Sequence, residues 1–101
     1  MVAVSRSRAL EILKEERPYL REKFGVRTLG IFGSVARDEA TTKSDVDLLV
    51  DFDRPVSLFH VGGLVSYLEE KLGVEKVDVV DPDRIYPFLR KRILKEAIYV
   101  E

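Results

Sequence analysis

Between Leu29 and Phe52 the chain reads LGIFGSVARDEATTKSDVDLLVDF, and this stretch constrains the fold more than any other. Two apolar runs, Leu29–Phe32 and Val46–Val50, have the length and composition of short strands. Gly33-Ser34 closes the first, and Asp45 and Asp47 open the second. Side chains alternate along a strand, so Asp45 and Asp47 share one face, roughly 6–7 Å apart, while Val46, Leu48 and Val50 take the other and can be buried. A glycine that ends a strand, followed by a serine able to cap a helix, predicts a sharp turn into a helix over Gly33–Ala40. The chain must then return through the polar loop Thr41–Ser44 to Asp45.

Two like charges at one strand start are tolerated when solvated, and they are also an invitation to a cation. Hard divalent ions such as magnesium take carboxylate oxygens together with phosphate oxygens of a substrate. A helix start supplies backbone N–H groups that attract phosphate. The loop brings the two halves face to face, so the pairing of Gly33-Ser34 with Asp45 and Asp47 favours a metal-and-phosphate site over a solvated strand end. Arg37 lies close enough to neutralise phosphate or meet a partner, whereas Lys43 reads as a surface cation.

Gly33-Ser34, ten further residues, then Asp45-Val46-Asp47 resembles the signature of the minimal nucleotidyltransferases, the smallest members of the DNA polymerase β-like superfamily. Four residues at one spacing are far more specific than either pair alone, and a chain of 101 residues matches the size of those proteins. The resemblance implies a magnesium-dependent transfer of AMP from ATP. Asp45 and Asp47 would hold the metal, with two ions about 4 Å apart clamping attacking and leaving oxygens. Gly33 and Ser34 would bind the outgoing phosphates. It also implies a third acid on the next strand. Asp78, within KVDVV, is the candidate, completing the metal site and serving as base for the acceptor. From its own residues that strand equally suits a sheet edge with Asp78 facing water. The resemblance further implies the antitoxin of a toxin–antitoxin pair, silencing a HEPN ribonuclease by adenylylating one of its tyrosines. Two other readings stand beside it: an antitoxin that inhibits by contact alone, and a nucleotidyltransferase for a small molecule.

Composition narrows the class. The chain carries 35% charged and 46% hydrophobic residues, which is globular, and its length suits a single domain over residues 1–101. A net charge of −1 gives no reason to expect bulk binding to nucleic acid or anionic membrane. There is no cysteine, no run long enough to span a bilayer and no signal-peptide pattern, so a cytoplasmic protein is expected. Asn and Gln are absent and Met occurs once, a depletion of thermolabile residues that predicts a thermophilic source.

The rest of the chain supplies the packing. Leu10, Leu13, Leu20 and Phe24 recur at helical spacing, and Pro18 predicts a break: one helix to about Glu16, a second piece from Pro18 to Gly25. Strands are expected over Val26–Phe32, Asp45–Phe52 and Lys76–Val80. Asp51 and Asp53 read as solvated strand-end residues. Ser57 caps a helix whose stripe is Leu58, Val61, Leu64, Val65, Leu68 and Leu72. Gly62-Gly63 inside it costs roughly 2 kcal/mol against two alanines, which predicts close backbone approach there to the sheet or to a nucleotide. His60 reads as structural. Pro87 starts a last helix through about Glu96, with an apolar face of Phe88, Leu89, Ile93, Leu94 and Ala97 and a basic face of Arg90, Lys91, Arg92 and Lys95. Ile98–Val100 adds a short strand. For the bend and the acids to meet, the first two strands must be antiparallel, and a helical crossover makes the second and third parallel. The expected fold is α/β (α+β), a small mixed sheet with helices mainly on one face, as in the polymerase β-like core.

Overall fold

A computed structural model describes residues 4–40 and 45–101, which leaves Met1–Ala3 and the expected loop Thr41–Ser44, with Lys43, outside it. In chain order the elements are α1 (Arg6–Tyr19), a π-helical turn (Leu20–Phe24), β1 (Val26–Phe32), α2 (Gly33–Ala36) and β2 (Val46–Phe52). They continue through α3 (Leu58–Leu72), β3 (Val77–Val80), a 3₁₀ turn (Pro82–Arg84), α4 (Pro87–Glu96) and β4 (Ile98–Tyr99). The four strands form one sheet in the order β3-β2-β1-β4. β1 runs antiparallel to β2 and β4, and β2 runs parallel to β3, as the position of the acids requires.

Residues directly opposite in a ladder share a face. Ile31 opposes Leu48 and Leu29 opposes Val50, so these four form the apolar floor on which the helices sit. Ala9, Ile12 and Leu13 of α1, Leu20 of the π turn, Val35 and Ala36 of α2, and Leu64, Leu68 and Leu72 of α3 close over them in one buried cluster. The opposite face carries Thr28, Phe32, Asp47 and Asp51, with Leu49 buried among them and outside that cluster.

Helix starts follow local chemistry. The Ser5 hydroxyl accepts from the Arg8 N–H, and the Ser57 hydroxyl accepts from the His60 N–H. Asp81 caps the 3₁₀ turn by accepting from the Asp83 N–H at 2.9 Å. His60 is structural: its Nε2 lies 2.6 Å from the Phe24 carbonyl oxygen, with its ring edge-on to Phe24 and Phe52.

Four expectations need correction. The helix does not break at Pro18 but runs through it to Tyr19 and then widens into the π turn. A proline lacks only its own N–H and crowds one carbonyl, and the following turn absorbs the disturbance by wider hydrogen bonding. Gly25, at φ +72°, ends it. Second, α2 stops at Ala36, short of Ala40, because Asp38 adopts φ +59°, with its carboxylate accepting from the Arg6 N–H at 3.2 Å. Third, Gly62 and Gly63 are exposed, and a side chain at Gly62 would meet nothing within 4 Å. Fourth, Leu58 and Phe88 belong to no apolar interface: they are 90% and 78% exposed.

Candidate active site

The site grows from the end of β1. Phe32 opposes Asp47 across the ladder, so Gly33 turns away beside the Asp47 side chain. Gly33 has φ +74°, in the left-handed region that favours glycine, and a Cβ there would stand 2.3 Å from Asp47 Oδ2. Backbone conformation and space both require glycine at this bend. Ser34 lies within α2 and is not its cap; Phe32 holds that position, with no side-chain capping bond.

On the other side of β2, Asp47 is the register partner of Asp78 in β3, so the two acids occupy one face of neighbouring strands. β3 is the edge strand of the sheet, as its own residues suggested, and Asp78 stands half-buried on that shared face. Asp45 precedes β2 by one residue. The Lys76 ammonium stands between Asp45 and Asp78, 3.5 Å from one carboxylate and 3.8 Å from the other. A cation thus already sits where the acids converge. The three acids are not drawn together as tightly as ligands of a single ion. Among the described residues, the acids whose carboxylate oxygens all fall within 4.8 Å of one another are Asp51 of β2 with Asp81 and Asp83 at the 3₁₀ turn after β3. Asp51, expected as a solvated strand end, instead lies within β2 with its side chain 22% exposed and is engaged by Arg27, whose Nε donates at 2.8 Å.

Burial pushes the Asp47 carboxyl up to about 6, reinforced by the charges of Asp78, Asp45 and Glu96 and opposed by Arg37. An acid raised this way marks a site with more negative charge than the protein balances, and oxygen donors of this type suit a hard divalent cation.

Arg37 caps the end of α2 and turns toward the same corner. Its Nε donates to Glu39 at 2.9 Å and its Nη1 to Glu96 at 2.7 Å. Glu96, the last residue of α4, accepts a second bond through the same Oε1, from the Gly33 N–H at 2.6 Å. Sequence reasoning passed over Glu96. The signal was present: it is the sole acid between Arg84 and Ala97, at a helix C-terminus, where the backbone dipole disfavours negative charge. Lys76 was missed too, and its place directly before the third strand was the clue. Gly33, Ser34, Arg37, Asp45, Asp47 and Asp78 therefore border one corner, with Glu96 and Lys76 joining them.

The comparisons agree with this geometry. A family model described as nucleotidyltransferase domain matches residues 10–100. A protein of Thermococcus cleftensis named protein adenylyltransferase MntA is 45% identical over 89 residues, spanning 88% of this chain and 89% of the relative. A solved structure provisionally named a minimal nucleotidyltransferase superposes with a TM-score of 0.73 at 41% identity, covering 88% of this chain and 93% of that one. A chain of a toxin–antitoxin complex solved with AMP-PNP has the same fold at 18% identity, with a TM-score of 0.70 over 87% of this chain and 72% of that one. Sequence, fold and the bend facing the acids thus converge, and the chain belongs to the nucleotidyltransferase domain family, as a minimal nucleotidyltransferase.

Proposed function

We propose that this protein is the antitoxin of a toxin–antitoxin pair, and that it transfers AMP from ATP, with magnesium, to a tyrosine of a HEPN ribonuclease. The observation that carries the transferase reading is the contact of Gly33 with Asp47 while Asp47 pairs in register with Asp78. The MntA relative supports a protein as acceptor, and the fold likeness to a toxin–antitoxin complex supports a toxin as that protein.

In this reading Asp45, Asp47 and Asp78 hold the magnesium, with Lys76 giving way to it. When bound, the metal neutralises triphosphate charge and stabilises the attacking and leaving oxygens. Gly33, Ser34 and Arg37 hold the outgoing phosphates by backbone N–H and guanidinium donors. The acceptor hydroxyl then lies opposite the leaving group, so that displacement at the α-phosphorus is in line. The tyrosine oxygen forms the new bond to the α-phosphorus, the bond to the bridging oxygen breaks, and pyrophosphate departs. Asp78 takes the proton of the hydroxyl.

The test is incubation with α-labelled ATP, magnesium and the product of the neighbouring gene. Label should appear on a tyrosine of the partner, its ribonuclease activity should fall, and both effects should vanish with Asp45→Asn and Asp47→Asn. Full inhibition by the double variant without label would replace catalysis by simple binding. Label on a small molecule and none on protein would move the acceptor.

A further inference from the structure

The Glu96 carboxylate does what a bound phosphate oxygen would do. One oxygen of Glu96 accepts from the Gly33 N–H at 2.6 Å and from Arg37 Nη1 at 2.7 Å. Both are the short, charge-assisted contacts of an anion in its seat. Gly33 has one N–H, and its bend is fixed by φ +74° and by the Asp47 side chain behind it, so the donor cannot be turned to a second acceptor. Glu96 is poorly placed by every other criterion. It ends α4, where the helix dipole opposes it, its side chain is only 21% exposed, and its charge adds to that of three acids nearby. Two donors hold it there. Its position is also flexible in a useful sense: the helix ends at Glu96, and Ala97 is already extended, so a change of side-chain rotamer releases the carboxylate without unwinding regular structure.

We propose that Glu96 is an internal competitor for the phosphate seat. It fills the Gly33–Arg37 corner in the free protein, and the triphosphate must displace it to bind. This rests on the reading of that corner as the seat of the outgoing phosphates. Its consequence is a specificity effect: Glu96 lowers affinity for ligands that reach the corner with a phosphate and leaves other ligands untouched. A carboxylate oxygen is exchanged for a phosphate oxygen, so ligands that place a phosphate in the corner meet this competition and ligands that do not are spared it.

The experiment measures dissociation constants of ATP, inorganic pyrophosphate and adenosine for the wild type, Glu96→Gln and Glu96→Asp by titration calorimetry. Circular dichroism melts check that each variant is folded. Glu96→Gln exchanges a charged acceptor for a neutral one and should bind ATP and pyrophosphate about tenfold more tightly, with adenosine unchanged. Glu96→Asp is the decisive variant. It keeps the negative charge but shortens the reach by one methylene, so it should also bind both phosphate ligands more tightly. If Glu96→Asp matches the wild type while Glu96→Gln gains, Glu96 acts through charge alone and does not occupy the seat. If both variants bind ATP as the wild type does, or more weakly, the competitor role is wrong while the transferase reading stands. If no variant binds ATP or pyrophosphate at all, the phosphate seat itself is wrong, and both readings fall.

Discussion

Asp47 carries the sharpest conflict at the scale of single residues. It is half-buried behind Gly33, beside two other acids, and its carboxyl is held up at about 6 against an ordinary 3.8. The folded protein therefore binds this proton more tightly than the unfolded chain does. Stability from this group is present below pH 3.8 and is lost as pH rises through about 6. Discounted for partial exposure, the cost at neutral pH is on the order of 1 kcal/mol. Asp47→Asn should thus raise the unfolding free energy of the chelator-treated protein at pH 7 by about that amount, measured by urea unfolding, and the gain should shrink at pH 4.5. The same variant should reduce AMP transfer to background. A direct NMR titration of the Asp47 side chain near pH 4 instead of 6 would contradict the charge balance described. A site that is less stable than its neutral isostere is what a function needing that charge would retain.

Among the elements, α3 shows how periodicity misleads at a helix end. Leu64, Leu68 and Leu72 are buried and hold α3 to the sheet, but in its first turn His60 turns inward, onto Phe24 and Phe52, while Leu58 and Phe59 are 90% and 93% exposed. The glycine pair lies on this outer side. A Cβ at Gly62 meets open space, and one at Gly63 would rest 3.7 Å from Phe24 Cε1, an ordinary contact. Neither residue needs a positive φ. Nothing in the fold of the isolated chain offsets the helix propensity lost there. Gly62→Ala and Gly63→Ala should each stabilise the protein by about 0.5–1 kcal/mol, measured by denaturant unfolding. Destabilisation by either would mean that α3 packs more closely than this structure places it. On α1, by contrast, cross-links replace propensity. Arg17 donates to the Val26 and Arg27 carbonyl oxygens at 3.0 and 2.5 Å, and Tyr67 of α3 donates to Glu16 at 2.5 Å, which ties the helix down directly before Pro18.

For the whole molecule, the relevant quantity is thermal stability. The described residues hold one continuous apolar cluster, no buried side-chain polar atom lacks a partner among them, and the surface carries ion pairs of both short and long sequence separation. No helix among them is long and apolar enough to cross a membrane. With Asn, Gln and Cys absent from the sequence, cooperative unfolding is expected well above the ~45–65 °C typical of mesophilic domains. A calorimetric midpoint near 50 °C would remove the thermophilic reading.

The antiparallel pairing of the first two strands, the parallel pairing of the second and third, and the meeting of Gly33 with Asp47 follow from local facts: a glycine at a strand end, acids at alternate positions and a helix between two strands. Such features are legible because they depend on near neighbours and on the fixed alternation of a strand. Tertiary structure alone decided the rest. Pro18 continues a helix whose preceding residues Glu16 and Arg17 are held by distant partners, Leu58 is exposed despite its place in the stripe, and Lys76 stands between Asp45 and Asp78. Glu96 reaches Gly33 across 63 residues. No periodicity encodes that distance; it exists only once α4 has folded back against α2 and the chain's last acid but one finds the anion seat at its other end.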